Sequence, residues 1–390
     1  MKILIATFTF SPNKDGVSEA ASAQAKAFLA QGWSVDVATE PTSPKRSTLN
    51  WNGAKIHEFA ITGSPYFRNP YTGDAVIEYC DFLCTGDWDV IIFHSYSWSL
   101  YLAVPFLDKV SAKKILVSHG YWALIWTPVP RFPFGLLVLA HGILQSIRML
   151  MWIKKIHRWV FLSSRPDFRT FYDLWLAKAI AHPGIAVIPN GVPALDRDSP
   201  IQSFRKQMCI PQSSVFFLCV ANYFPGKDQA FAAKAFRQAA IPGSCLVFIG
   251  SGFNEFSTEF QKADAPYALP EAPGKIIWLE KQARETTIAA FADCDVFVLS
   301  SYREAQPIAI LEAMAHHKPW IARNAGCIPE LPGGFCVKSE KTMARAMKIL
   351  ATDSNLRLHL GQLGRDSVDT LYNRKMYNSS FCRLVRDIGT

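Results

Sequence analysis

Acidic residues are absent from a long stretch of this chain. Between Lys109 and Pro166 there is no Asp and no Glu, yet nine Lys or Arg occur there: Lys109, Lys113, Lys114, Arg131, Arg148, Lys154, Lys155, Arg158 and Arg165. A block of one sign points to an anionic surface as partner. Paired cysteine signatures are absent as well. The nine cysteines are odd in number, most lie in apolar runs, and the nearest pair, Cys80 and Cys84, has no His or further Cys beside it to complete a metal site. The pattern argues against a disulfide framework and predicts reduced, buried thiols in a cytosolic compartment. Charged residues make up only 19% against 49% hydrophobic, which excludes a disordered chain. There is no short-period repeat and no low-complexity tract. The opening run MKILIATFTFSP is short and has no small-x-small cleavage site, so it reads as a first buried strand and not as a signal peptide.

What is present is a regular alternation. With 390 residues, two or more domains are expected. KILIATF, WSVDVATE, WDVIIFHSY, KKILVSHG, RWVFLSS and IAVIPNGV read as strands, with helical patterns such as SEAASAQAKAFLAQG between them. The series restarts with SVFFLCVANY, SCLVFIGSG, KIIWLE, DVFVLSS and PWIARNAG. The runs are near-continuously apolar, as parallel strands covered on both faces require. Two such series predict an α/β chain of two doubly wound domains, 1–190 and 191–370, with 371–390 as a final helix. The seam falls in the Pro-, Asp- and Ser-rich stretch from Asn190 to Ser203. Ligands of such sheets bind beyond the carboxyl ends of the strands, and every candidate residue below lies just after a predicted strand.

The densest candidate is SSYREAQPIAILEAMAHHKPWIA, beginning at Ser300. Glu304 sits in the loop that leaves a strand, Pro307 fits the first turn of a helix, and Glu312 lies within that helix. Free amides of a first turn, with the helix dipole, make an anion site. Two carboxylates flanking it suit a nucleotide-sugar, with hydroxyls on both sides of a diphosphate. Spacing alone serves equally well for a dipole-stabilising Glu304 and a solvated Glu312.

Glu304 and Glu312 reproduce the E-x7-E signature, and the surrounding stretch resembles the large retaining GT-B glycosyltransferase family (family 4-like) from the strand through LEAMA, the KP turn and PEL. The resemblance implies two Rossmann-like domains facing a central cleft, and a final helix crossing back to the first domain. It also implies transfer of a hexosyl group from a nucleoside-diphosphate sugar with retention of configuration. By it, Glu312 holds the ribose, Glu304 contacts the transferred sugar, and the amides around Gln306, Pro307 and Ile308 lie near sugar and diphosphate. Elsewhere, Gly16 in SPNKDGVSEAA matches the glycine loop, His119 in VSHG the histidine near the donor sugar, and VIPNGV the hinge. Lys227 in VANYFPGKDQ matches the Lys that grips the diphosphate, whereas Asn222 stands where the family has an Arg. Glu280 stands where a Gly is common beside the nucleobase. The resemblance thus gives Glu304, His119 and Lys227 catalytic roles, without a covalent protein nucleophile.

DCD at Asp293 to Asp295 spells a metal-binding D-x-D, but it ends a predicted helix and leads into a strand, so no metal and no cofactor beyond the sugar nucleotide is expected. GSGFNEF lacks the P-loop Lys-Ser/Thr and reads as a strand-end turn. The run Phe134 to Ile153 is long enough to suggest a membrane span. A polar stripe of His141, Gln145, Arg148, Lys155 and Arg158 among Leu136, Leu137, Leu139, Ile143, Leu144, Ile147, Leu150, Met151 and Ile153 fits an interfacial segment better. Tyr121, Trp122, Trp126, Phe132 and Phe134 precede or open it; a core helix with a basic edge is the alternative. The expectation is a cytoplasmic enzyme, peripheral on the inner face of the cell membrane. Its acceptor is a lipid-linked saccharide or glycolipid in cell-surface polysaccharide synthesis, with an anionic membrane and not nucleic acid as partner. Alternatives are a soluble small-molecule acceptor, a nucleotide-sugar epimerase, and a non-catalytic nucleotide-sugar-binding protein on the same fold.

Overall fold

A computed structural model describes all residues except 14, 44, 64–69, 122–133, 165–169, 194–201, 266–273 and 390; the side chains of 134–139, 141 and 263 are also outside the described set. Trp122, Trp126, Arg131, Phe132 and Arg165, with the side chains of Phe134, Leu136, Leu137, Leu139 and His141, therefore lie outside the described residues. The chain forms two compact units, Met1–Asn190 with Lys375–Thr390, and Gly191–Arg374.

The first unit holds an eight-stranded sheet. Its strands are β1 (Lys2–Ala6), β2 (Ser34–Thr39), β3 (Asn50–Trp51), β4 (Ala54–Glu58), β5 (Val90–His94), β6 (Lys113–Val117), β7 (Arg158–Phe161) and β8 (Ile185–Val187). They run in the order β3-β4-β2-β1-β5-β6-β7-β8, all parallel except the β3–β4 pair. β5 is buried along its whole length and β1 and β6 nearly so, which is why their sequences are unbroken apolar runs. The second unit holds β9 (Phe216–Val220), β10 (Ser244–Gly250), β11 (Gly274–Glu280), β12 (Val296–Leu299), β13 (Trp320–Arg323) and β14 (Gly334–Val337). All are parallel, in the order β11-β10-β9-β12-β13-β14.

Each sheet reverses its winding once, between β1 and β5 in the first unit and between β9 and β12 in the second. At such a reversal the connections leave in opposite directions, and the two strand ends open side by side into a crevice. Lys227 and Glu304 in the second unit, and His94 and His119 in the first, sit at or near these two points. The C-terminal helix Arg374–Gly389 buries Tyr377, Phe381, Val385 and Ile388, spaced along one helical face, in the same core as Ile5 and Phe28 of the first unit.

Several local expectations need correction. The helix after Glu304 spans Ile308–Ala315, and Pro307 is its N-cap in extended geometry, not a first-turn residue. The helix Phe134–Ile153 stops before Lys155 and Arg158. The chain turns there, with Lys155 N–H donating to Trp152 O at 2.9 Å, and Arg158 begins β7, so neither cation belongs to a helical stripe. No helix among the described residues is long and apolar enough to cross a membrane. All nine cysteines are free, but Cys84, Cys209 and Cys336 are exposed, not buried. They lie at the ends of elements or on an edge strand, where an apolar neighbourhood in sequence does not ensure cover.

Candidate active site

In the second unit, the loops after β9 and β12 are joined by three bonds. Lys227 Nζ donates to Glu304 Oε1 at 2.6 Å, Ser300 Oγ donates to Lys227 O at 2.8 Å, and Tyr302 N–H donates to Gly226 O at 3.1 Å. Glu304 is only 8% exposed, whereas the Lys227 side chain keeps 29% of its surface in solvent. The carboxylate is buried against the ammonium, and the ammonium still reaches outward. Such a partner offsets the cost of burying a carboxylate in a strand-end loop.

Two residues that the sequence reading did not single out hold these loops. Arg323, at the end of β13, donates from Nη1 to Asp228 Oδ2 at 2.6 Å and to Ser300 O at 3.3 Å, and its guanidinium lies 4.3 Å from the Phe231 ring centre. It fixes the residue that follows Lys227, which adopts a left-handed conformation (φ 44°). Gly326 has φ +54°, and a Cβ there would meet Glu304 O at 2.0 Å and Ala305 O at 2.4 Å. Cys327 N–H donates to Ala305 O at 2.9 Å. The backbone that carries Glu304 therefore rests directly on a glycine. The NAG motif before Cys327 was the available signal, since a Gly in a strand-end turn marks a close backbone approach.

Gln306 and Pro307 are buried between Glu304 and the helix Ile308–Ala315, whose first turn has no side-chain cap. Ile308 is half-buried at its start. Glu312 lies on that helix and is engaged by Arg284. Asn222 is exposed, and its carbonyl accepts from Gln229 Nε2 at 3.0 Å. Glu280 accepts the Phe253 N–H at 2.5 Å, tying the end of β11 to the turn after β10. In that turn Asn254 caps the helix Glu255–Asp264. The D-x-D carboxylates serve a different purpose. Asp293 accepts from Ser203 Oγ and Arg205 N, at 2.8 and 2.9 Å, and Asp295 accepts from Arg205 Nη2 and Phe216 N, both at 2.7 Å.

In the first unit, the loop after β1 ends in Asp15, which caps the helix Gly16–Leu29 by accepting from Val17 N and Ser18 N at 3.0 Å. Gly16 is the exposed first residue of this helix. His119 follows β6, and burial lowers its pKa to about 4 despite an opposing contribution from the Asp15 carboxylate. Its Nε2 lies 3.0 Å from Nδ1 of His94, a wholly buried residue that ends β5 and that burial, then His119, hold well below the usual imidazole range. Behind them Asp173, also wholly buried, accepts from Tyr96 OH at 2.6 Å and from Ser118 Oγ, and Ser118 Oγ accepts from Gly120 N at 3.2 Å. Burial raises the Asp173 carboxyl to about 6. The His119 loop is thus braced from both sides. Each unit gathers its own candidates: Lys227, Glu304, Gln306, Pro307 and Ile308 in the second, and His119 with Asp15 beside Gly16 in the first.

Comparison with known proteins bears on the fold and on the second unit's sequence. The chain is similar over 99% of its length to sucrose-phosphate synthase from Thermosynechococcus elongatus, with 98% of that structure covered, a TM-score of 0.78 and 16% identity. It is likewise similar to the Anabaena protein HepE in complex with UDP, over 99% of this chain and 100% of that one, with a TM-score of 0.72 and 17% identity. The fold is GT-B. Residues 200–367, which include Lys227, Glu304 and Glu312, match the family model described as Glycosyl transferases group 1. Another GT-B neighbour is an α,α-trehalose-phosphate synthase (UDP-forming) from Burkholderia xenovorans, in complex with glucose-6-phosphate. It has a TM-score of 0.68 and 15% identity, over 98% of this chain and 100% of that one. A curated relative is the N,N'-diacetylbacillosaminyl-diphospho-undecaprenol α-1,3-N-acetylgalactosaminyltransferase of Campylobacter jejuni. It is 30% identical over 86 residues, a match that spans 20% of this chain and 23% of that protein.

Replacing Gly326 by Ala tests the support beneath Glu304. The added Cβ, with its unfavourable φ, is expected to destabilise the second unit by more than about 1 kcal/mol. Denaturant unfolding checks this; unchanged stability would contradict the close approach.

Proposed function

We propose that this protein transfers a glycosyl group from a nucleoside-diphosphate sugar, with retention of anomeric configuration, to a lipid-linked saccharide or membrane glycolipid. The observation that carries the reading is the Lys227–Glu304 pair at the second winding reversal, inside the region that matches the glycosyltransferase family model. The UDP complex of a structural neighbour supports a nucleotide-sugar donor.

On this reading the diphosphate competes with Glu304 for Lys227. The bond between the anomeric carbon and the diphosphate oxygen breaks, and its electron pair leaves with the diphosphate. Lys227 and the uncapped amides at the start of the helix Ile308–Ala315 stabilise that charge. The acceptor hydroxyl attacks from the same face and passes its proton to the departing oxygen. Glu304, released from Lys227, accepts hydrogen bonds from the sugar; His119 and the loop before Gly16 position it. Glu312 holds the ribose in exchange for Arg284, and Asn222 leaves the diphosphate with a single side-chain cation from its loop. On this reading the reaction proceeds without a metal; the engagement of Asp293 and Asp295, the D-x-D pair, by Ser203, Arg205 and Phe216 supports that reading.

The lipid-linked acceptor is supported by the name of the curated relative and by one feature of the first unit. A cavity of about 650 Å³ is lined by Tyr71, Tyr101, Tyr121 and Trp152, with Arg148 and Lys155 at its wall. Beside it the helix Phe134–Ile153 exposes Ile143, Ile147 and Met151 at four-residue spacing, Met151 by 74%. Aromatic walls, cations and an adjoining apolar stripe suit an amphiphile with an anionic head. The sucrose- and trehalose-phosphate synthases among the neighbours favour the second reading, a soluble acceptor.

Lys227→Ala is expected to slow transfer by roughly 10²–10³-fold, by analogy with loss of one donor to a developing anion, while wild-type activity persists in excess EDTA. Turnover assayed across a panel of nucleotide-sugars with a polyprenyl-diphosphate-linked acceptor reads both. Near-normal turnover of the variant would move the clamp elsewhere, and activity lost to EDTA but restored by magnesium would reinstate a metal.

Membrane attachment has its own test. Each cation near an anionic surface contributes roughly 1 kcal/mol, less with salt, so wild type should float with anionic vesicles at low salt and less at high salt. An Ile147→Ser, Arg148→Ser, Met151→Ser variant should float far less. Equal flotation of the two, or none by folded wild type, would favour the soluble acceptor.

A further inference from the structure

His119 is the outer end of a line of hydrogen bonds that runs into the core of the first unit. His119 Nε2 lies 3.0 Å from His94 Nδ1, and His94 Nε2 lies 3.0 Å from Gln24 Oε1. Gln24 Nε2 donates to Tyr377 OH at 2.9 Å, and Tyr377 OH donates to Ala20 O at 3.4 Å. His94, Gln24 and Tyr377 are all buried, at 0%, 0% and 3% exposure. Tyr377 comes from the C-terminal helix, 353 residues from Gln24 in sequence.

The line has a direction because its inner end does. A backbone carbonyl only accepts, so the Tyr377 proton goes to Ala20 and the phenol oxygen accepts from the Gln24 amide nitrogen. In this orientation both ends of the Gln24 amide are paired, the nitrogen with Tyr377 and the oxygen with His94, which requires a proton on His94 Nε2. Burial keeps His94 neutral, so its Nδ1 carries a lone pair. The proton between the two rings therefore belongs to His119 Nε2.

We propose that Tyr377, Gln24 and His94 are positioning residues that hold His119 as the Nε2–H tautomer, leaving its Nδ1 as a hydrogen-bond acceptor at the end of β6. Among the described residues nothing bonds that nitrogen. An acceptor there takes a hydroxyl and not a carbonyl or a phosphate oxygen, so the device selects a ligand hydroxyl. That consequence rests on the reading that His119 meets the transferred sugar; the tautomer itself does not. The nearby Asp15 carboxylate is the charged group that favours imidazolium, and burial outweighs it.

The test is long-range ¹H–¹⁵N correlation on the full chain labelled at histidine, without ligand, near pH 7.5, with the His119→Gln variant assigning the signals. Wild type is expected to show His119 protonated at Nε2 and bare at Nδ1. In Tyr377→Phe, which keeps the ring but frees the Gln24 amide to turn, a mixture of tautomers is expected. Its turnover should fall several-fold, with the KM for the nucleotide-sugar changing less. Wild-type His119 protonated at Nδ1 would overturn the proposal whether or not the variant folds, as would a folded Tyr377→Phe with unaltered tautomers. If the tautomer is as stated but His119→Gln turns over normally, the relay stands and the sugar-contacting role of His119 falls.

Discussion

Glu304 is a carboxylate with almost no water around it, and the ammonium of Lys227 at 2.6 Å is what makes that burial tolerable. An ion taken out of water costs several kcal/mol after relaxation unless it is paired. The loops after β9 and β12 therefore have to meet, and Arg323, Ser300 and Gly326 are arranged so that they do. In the proposed reaction the same pair is a placeholder. A diphosphate brings Lys227 a stronger anion than one carboxylate, and the freed Glu304 finds sugar hydroxyls to accept from.

The two units carry contrasting chemistry at equivalent points of their sheets. At the reversal in the second unit the groups are ions. At that in the first they are neutral imidazoles, held so by burial, with a helix-capping Asp15 beside them. Charge suits a leaving diphosphate, and oriented neutral donors and acceptors suit the discrimination of hydroxyls. Asp173 extends the same design inward, since a wholly buried carboxyl raised to about 6 is kept in place by Tyr96 and Ser118 instead of by a cation.

Much of this was legible in the sequence where the signal is local. Glu304 and Glu312 stand a fixed distance apart on one loop and one helix, and the buried strands announce themselves as apolar runs because both faces of each sheet are covered. Signals failed where an element is short, polar or remote. β3 and β4 form a half-exposed edge, and β14 is four residues opening on a glycine, so none reads as a buried strand. A helical wheel drawn past Ile153 gathered Lys155 and Arg158 onto a stripe that the turn at that point breaks. Gln24 and Tyr377 look like ordinary helix residues until the C-terminal helix returns to the first unit, and His94 passes for the polar end of a strand.

The central claim is that the Lys227–Glu304 pair opens to receive a sugar nucleotide. A crystal structure of the chain with a nucleotide-sugar that it turns over, or with the matching nucleoside diphosphate, tests this most directly. The account predicts diphosphate oxygens on Lys227 Nζ and on the first amides of the helix Ile308–Ala315, with Glu304 moved from the ammonium onto the sugar. A bound nucleotide with the Lys227–Glu304 pair intact and its diphosphate elsewhere would contradict it.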